Sequence, residues 1–113
     1  LRDKKFLESE VFKKLMLAIS GGENVKFEDW DELFATVNRI YPSYKDNIAK
    51  FCRMSEIQMK VCVLLKIGMS FSDISVLVIR SKDTVYSICT RLYFKNFKTK
   101  GTASKWAELM RSL

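Results

Sequence analysis

The chain of 113 residues has the length of one ordinary domain, and 48% of its residues are hydrophobic, with only 4 glycines and 1 proline. Such a composition is typical of a packed globule and excludes disorder, collagen and disulfide scaffolds. A formal charge of +7 arises from 20 Lys and Arg against 13 Asp and Glu, and residues 80–113 alone hold 8 basic and 2 acidic side chains, a net +6. This excess narrows the expected partners to phosphate polymers, anionic surfaces or acidic proteins.

The residue types that the chain lacks limit its chemistry. It contains no His, which removes Ser-His and Cys-His nucleophile pairs and any zinc site that needs imidazole. We therefore expect no enzyme activity, no catalytic or metal-binding residue, no cofactor and no small-molecule substrate. Cys52, Cys62 and Cys89 lie in apolar stretches without a CxxC pair, which is typical of buried free thiols in a reducing compartment.

The expected location follows from the thiols and from the hydropathy. The longest apolar run, residues 61–65, is far too short to span a bilayer. We therefore expect a cytoplasmic fragment. Because the chain begins at Leu1 rather than Met, we also expect it to be a piece of a longer protein, and that parent could be anchored in a membrane through an upstream segment.

Helical periodicity dominates the sequence, and the expected fold class is all-α, a bundle of about six to seven helices. Three helices are predicted in the N-terminal part, over residues 4–20, over residues 28–41 and in a short segment after Ser43. Gly21-Gly22 stops the first helix and Pro42 ends the second. In the third, Ile48 and Phe51 are expected to face inward.

Helix-capping signals follow one another closely from residue 55 onward. Four more helices are predicted, over residues 55–67, 71–78, 82–95 and 104–113. Ser55 with Gln58 is a capping box, and Gly68 marks the end of the helix that it opens. Ser70 and Ser81 are the expected N-caps of the next two helices.

The chain is expected to form one compact domain with two parts. Residues 1–53 would form an N-terminal helical layer, which could continue an upstream coiled coil and so supply a homodimer. Residues 54–113 have the spacing of a helix-turn-helix: a scaffold helix, a short helix, a tight connection at residues 79–80 and a longer helix. In such units the second helix of the pair places its N-terminal half in the major groove of DNA.

The segment "MSEIQMKVCVLLKIGMSFSDISVLVIRSKDTVYSICTRLYFKNF" resembles the LuxR/GerE-type helix-turn-helix, a winged-helix-like fold. The family pattern has an acidic residue opening a hydrophobic helix, a glycine, a Ser-x-x-acid-Ile helix and then Ser-x-x-Thr-Val. The matched positions are Glu56, Val61, Leu64, Leu65, Gly68, Ser70, Asp73, Ile74, Leu77, Ser81, Thr84, Val85 and Leu92. Nearly the whole chain is also similar to the C-terminal region of bacterial regulators in which tetratricopeptide-repeat or sensor segments lie upstream.

The resemblance implies a DNA-binding effector domain of a bacterial transcriptional regulator. Its partner would be double-stranded DNA, read by a recognition helix at about residues 82–95, with a basic C-terminal flank on phosphates. An upstream sensor or tetratricopeptide-repeat segment of the parent chain would control it, and a homodimer would match two half-sites.

The resemblance also assigns roles to residues. It places five side chains toward the bases: Lys82, Asp83, Tyr86, Ser87 and Thr90. It places six on phosphates, with Lys100 and Lys105 nearby: Ser70, Ser72, Thr84, Arg91, Lys95 and Lys98. The core side of the recognition helix would hold Val85, Ile88 and Leu92.

Two departures from the family pattern keep an alternative open. Ser75 replaces the usual alanine, a small change that still fits a close helix crossing. Cys89 and Thr90 stand where the relatives usually have Arg or Lys, so the middle of the recognition helix is less basic. The alternative interpretation is a degenerate helix-turn-helix that acts as a protein interaction or dimerisation module. For Tyr86, Ser87 and Thr90, an ordinary solvated helix face is also open.

Overall fold

The computed structural model describes residues 4–21 and 23–113, and within these ranges it contains eight α-helices and no strand. The all-α class is confirmed, with one helix more than the predicted six to seven. The helices are α1 (Lys4–Leu7), α2 (Glu10–Ile19), α3 (Phe27–Ile40), α4 (Tyr44–Ile48), α5 (Glu56–Lys66), α6 (Phe71–Val78), α7 (Lys82–Phe97) and α8 (Ala103–Ser112). The radius of gyration, 13.4 Å, matches the value of about 13 Å expected for a compact domain of this length.

The extra helix arises because the predicted continuous helix over residues 4–20 was wrong. The chain breaks at Ser9, whose hydroxyl accepts a hydrogen bond from the Phe12 amide at 3.3 Å and donates one to the Phe6 carbonyl at 2.6 Å. One serine therefore ends α1 and caps α2. The predicted upstream coiled coil lies outside the described residues and stays a prediction. The predicted stop at Gly21 holds, with φ +88, whereas Gly22 is not among the described residues.

The helices α3 and α4 follow the predicted pattern closely. The Asp29 carboxylate accepts a hydrogen bond from the Lys26 amide at 3.1 Å, so an acidic residue satisfies the start of α3. Both helices turn apolar residues inward, and Ile48 of α4 is buried. Phe51, just after α4, is half-buried with its ring centroid 5.5 Å from that of Trp106.

The centre of the molecule is α5, in which residues 61–65 are all buried. It packs against α3, α6 and α8, while α2 packs against α3 and α6. Buried side chains from both predicted parts, such as Leu33 and Leu64, belong to one core. No helix in the described part of the chain is both long and apolar enough to cross a bilayer.

The helices α5 and α6 end with the same hydrogen-bond pattern, in which an amide donates to the carbonyl five residues earlier. At the end of α5 the Met69 amide donates to the Leu64 carbonyl at 3.1 Å, and Gly68 between them has φ +87, as predicted from its glycine. At the end of α6 the Arg80 amide donates to the Ser75 carbonyl at 3.0 Å, but the left-handed position holds Ile79, with φ +56. A β-branched residue is rare in that conformation, so the turn between α6 and α7 is strained.

Candidate nucleic-acid interface

The helix α7 begins at a side-chain cap directly after the turn. The Ser81 hydroxyl accepts a hydrogen bond from the Thr84 amide at 3.1 Å and lies 2.9 Å from the Thr84 hydroxyl. The helix contains 16 residues and ends at Phe97, two residues beyond the predicted end, where Lys98 adopts φ +56. At 1.5 Å per residue its length is about 24 Å.

One side of α7 faces the core. Val85, Cys89 and Leu92 are at most 1% exposed, and Ile88 is half-buried against the same core, as predicted. The burial of Cys89 removes this position from those that could carry a cation facing DNA. The lack of a cation at Cys89 therefore does not lower the charge of the exposed side of α7. Of Cys89 and Thr90, only Thr90 lies near that side.

The predicted base-facing residues lie between Lys82 and Thr90 on α7 but differ in exposure and in their contacts. Three are exposed: Lys82, Asp83 and Ser87. The Thr90 hydroxyl donates to the Ser87 carbonyl at 3.1 Å, so its proton is already used in a hydrogen bond within α7. Tyr86 is half-buried, with its ring centroid 4.8 Å from that of Phe71, the first residue of α6. This contact fixes the tyrosine ring and joins the start of α6 to the first half of α7.

The six predicted phosphate-contacting residues fall into two groups. Ser70, Ser72 and Thr84 lie at the N-terminal ends of α6 and α7, and the Ser70 hydroxyl accepts from the Asp73 amide at 3.1 Å as a helix cap. The second group lies along and just after the C-terminal half of α7, and each of its side chains is exposed: Arg91, Lys95 and Lys98. Lys100 and Lys105 are exposed beyond them.

The ion pairs among the described residues are confined to the N-terminal part of the chain. All ion pairs among the described residues lie before residue 61, such as Lys13 with Glu10 at 3.0 Å and Lys14 with Asp29 at 3.3 Å. The hydrogen bond to Asp29 also raises the pKa of Lys14. Within residues 80–113, as the structure describes them, no Lys or Arg pairs with a carboxylate.

Two exposed aromatic residues on α7 were not predicted as part of the site. Phe94 is 52% exposed and Phe97 is 44% exposed. Phe94 follows Thr90 by four residues and Ser87 by seven, which places all three on one side of the helix. The spacing alone could have indicated this, but the exposure of the ring depends on how α7 packs.

Among the described residues, no group of three or more Cys, Asp or Glu side chains comes together in a way that could hold a metal ion. Comparison of the chain with protein-family models, with curated proteins and with solved structures finds no match.

Proposed function

We propose that this chain is the DNA-binding effector domain of a bacterial transcriptional regulator, in which α5, α6 and α7 form a LuxR/GerE-like helix-turn-helix. In this proposal the first half of α7 lies in the major groove of double-stranded DNA, and the cations of its second half contact phosphates. A second copy on a neighbouring half-site and an upstream sensor or tetratricopeptide-repeat segment would complete the regulator.

The arrangement of α6 and α7 supports this assignment. A short helix, a connection of three residues and a longer helix with a serine cap are the parts that a recognition unit needs. A helix with its side chains is about 10–12 Å wide, and the major groove is about 12 Å wide. The exposed first half of α7 therefore has the shape to enter the groove.

The observation that carries the proposal is the row of unpaired cations along one flank of α7. Arg91 follows Thr84 by seven residues and precedes Lys95 by four, so the three lie on the same side of the helix. No carboxylate among the described residues competes for them. A flank of this kind replaces the counterions of a phosphate backbone, which is the main source of affinity in protein–DNA complexes.

Base reading would come from the neighbouring side of α7. Asp83 is suited to accept from cytosine N4, Lys82 to donate to guanine, and Ser87 to pair with several bases. Arg91, however, belongs to the cationic flank rather than to this side. Without a bidentate arginine on the reading side, the proposed complex depends more on the backbone than on base identity.

The alternative, a degenerate helix-turn-helix used as a protein interaction or dimerisation module, rested on Cys89 and Thr90 as positions that had lost a cation. Cys89 is buried in the core, which removes most of that argument. The alternative therefore remains only as an outcome of the test.

The test is a duplex titration followed by fluorescence anisotropy at several salt concentrations. If about 5 phosphates are neutralised, log K falls with log[salt] with a slope of about −4.5. The double variant Arg91→Ala/Lys95→Ala removes two of those contacts, so its slope is expected to be shallower by about 2 and its affinity lower at every salt concentration.

The matched control is Lys4→Ala/Lys45→Ala, which removes the same charge from α1 and α4, two helices that pack against α3. It is expected to leave the slope unchanged. No duplex binding even at low salt would overturn the proposal, as would equal effects of the two double variants. Self-association without any DNA binding would favour the alternative module.

A further inference from the structure

The exposed side of α7 changes character halfway along the helix. As far as Thr90 it presents the short polar side chains of Asp83, Ser87 and Thr90. Its second half carries three neighbouring rings, which we call the aromatic strip: the half-buried Tyr93 and the exposed Phe94 and Phe97. The flank next to this second half carries the exposed cations Arg91, Lys95 and Lys98. The exposed rings continue the side of α7 that is proposed to read base edges. Rings in this position suggest a second kind of contact, in which bases stack on them.

Two rings of the strip are held in place by the protein. The Phe97 ring centroid lies 4.8 Å from that of Tyr93 and 6.3 Å from that of Phe51. On the loop to α8, the Gly101 backbone sits so close to Tyr93 that a Cβ there would come within 2.4 Å of the ring. These contacts order the rings without a ligand, which lowers the entropy cost of binding to them.

Phe94 is the free ring of the strip. It is 52% exposed and forms no ring–ring contact within the described residues. Three cations lie on one side of it along α7: Arg91 one turn before, Lys95 next in sequence and Lys98 one turn after. Between Asp83 and Glu108 the chain contains no acidic residue. The surroundings of Phe94 thus favour an anionic ligand that also carries flat apolar faces.

A paired duplex does not offer such faces to Phe94. Phe94 lies 12 residues after Lys82, or about 18 Å along the helix, which exceeds the major-groove width of about 12 Å. Paired bases are stacked on one another, so only unpaired bases expose their faces to a side chain. A single strand offers bases for the rings and phosphates for the cations.

We propose that the aromatic strip binds unpaired nucleotides of a DNA strand, with bases stacked on Phe94 and phosphates on Arg91, Lys95 and Lys98. The domain would then recognise a duplex that adjoins an opened or single-stranded segment. This inference rests on the proposed role of α7 as the DNA-binding surface, and it adds the kind of DNA structure that the surface takes.

The experiment compares binding to a 12-nucleotide oligothymidylate and to a mixed-sequence duplex at one low salt concentration. Phe94→Leu keeps an apolar side chain but removes the ring on which a base stacks. It is expected to weaken oligothymidylate binding about 10-fold and duplex binding less than about 2-fold. Phe94→Trp is expected to retain oligothymidylate binding. Phe27→Leu, at a 74% exposed position on α3, is the matched control and is expected to change neither affinity.

Each outcome separates the inference from the proposed function. Duplex binding together with oligothymidylate binding that Phe94→Leu leaves unchanged would overturn the inference alone. Oligothymidylate binding that depends on Phe94, without duplex binding, would support the inference and overturn the duplex proposal. Binding to neither probe would overturn both. A change in self-association alone, measured by sedimentation, would make Phe94 part of a protein interface and overturn the inference.

Discussion

At the scale of single residues, Ile79 is the clearest conflict between local preference and overall fold. It occupies the left-handed position that ends α6, where Gly68 ends α5, and its side chain is 64% exposed. A β-branched residue in this conformation costs about 1–2 kcal/mol, and its exposed side chain recovers little through burial. Such strain is often found beside functional surfaces, and here it lies in the turn that sets α7 against α6.

Replacing Ile79 is therefore expected to stabilise the domain. Ile79→Gly and Ile79→Asn should each raise the free energy of unfolding by about 0.5–1 kcal/mol, because both residues tolerate positive φ. Urea denaturation measures the change. As a control, Val76→Gly puts the same glycine inside α6 at an exposed helical position and should lower stability by about 1 kcal/mol. A lower free energy of unfolding for Ile79→Asn would contradict the claim that Ile79 is strained at positive φ.

Two buried thiols predict how stability depends on pH. Burial raises the pKa of Cys62 and that of Cys89 from 9.0 to about 12. The unfolded thiols ionise first, so the folded state loses stability as the pH rises from about 9 towards 12, by at most about 1.4 kcal/mol per pH unit for each thiol. Urea unfolding at pH 8 and pH 10 should show this loss, and Cys89→Ala should reduce the difference between the two pH values by about 1 kcal/mol. If Cys89→Ala loses as much stability between pH 8 and pH 10 as the unchanged protein does, the raised pKa of Cys89 is contradicted.

At the scale of elements, most helix boundaries follow from local signals in the sequence. The capping box of Ser55 with Gln58 is present, with the Ser55 amide donating to the Gln58 side chain at 2.8 Å, and Ser70 and Ser81 cap the next two helices. These interactions join residues three apart, so the sequence shows them directly. The cap of α2 at Ser9 was hidden because the amphipathic pattern continues through it.

The cap of α7 offers a test at this scale. Ser81→Ala removes the hydrogen bond to the Thr84 amide and should lower the free energy of unfolding by about 1 kcal/mol. Thr102→Ala removes the corresponding hydrogen bond to the Lys105 amide at the start of α8 and should cost a similar amount. Only Ser81→Ala is expected to weaken duplex binding as well, because it loosens the first turn of α7. Equal effects of the two variants on duplex affinity would argue against α7 as the reading helix.

At the scale of the whole molecule, the sequence alone predicted the helical class, which is confirmed, but it did not show which side chains of the candidate site are exposed. The burial of Cys89, the contact between Tyr86 and Phe71, and the exposure of Phe94 all depend on how α7 lies against α6 and α8. Such contacts join residues far apart in the chain, and helical periodicity gives only their approximate direction. The charge pattern was clear in the sequence, and the structure adds that these cations have no ion pairs within the part it describes.

The central claim, that α7 is the DNA-binding element, is tested most directly by mapping amide chemical shifts of the ¹⁵N-labelled domain during titration with a duplex. The predicted result is that the largest shift changes fall at the starts of α6 and α7 and along the exposed side of α7 as far as Lys98, while the amides of α1 to α4 stay nearly unchanged. Absence of shift changes at low salt, or changes confined to α1, α2 and α3, would contradict the claim.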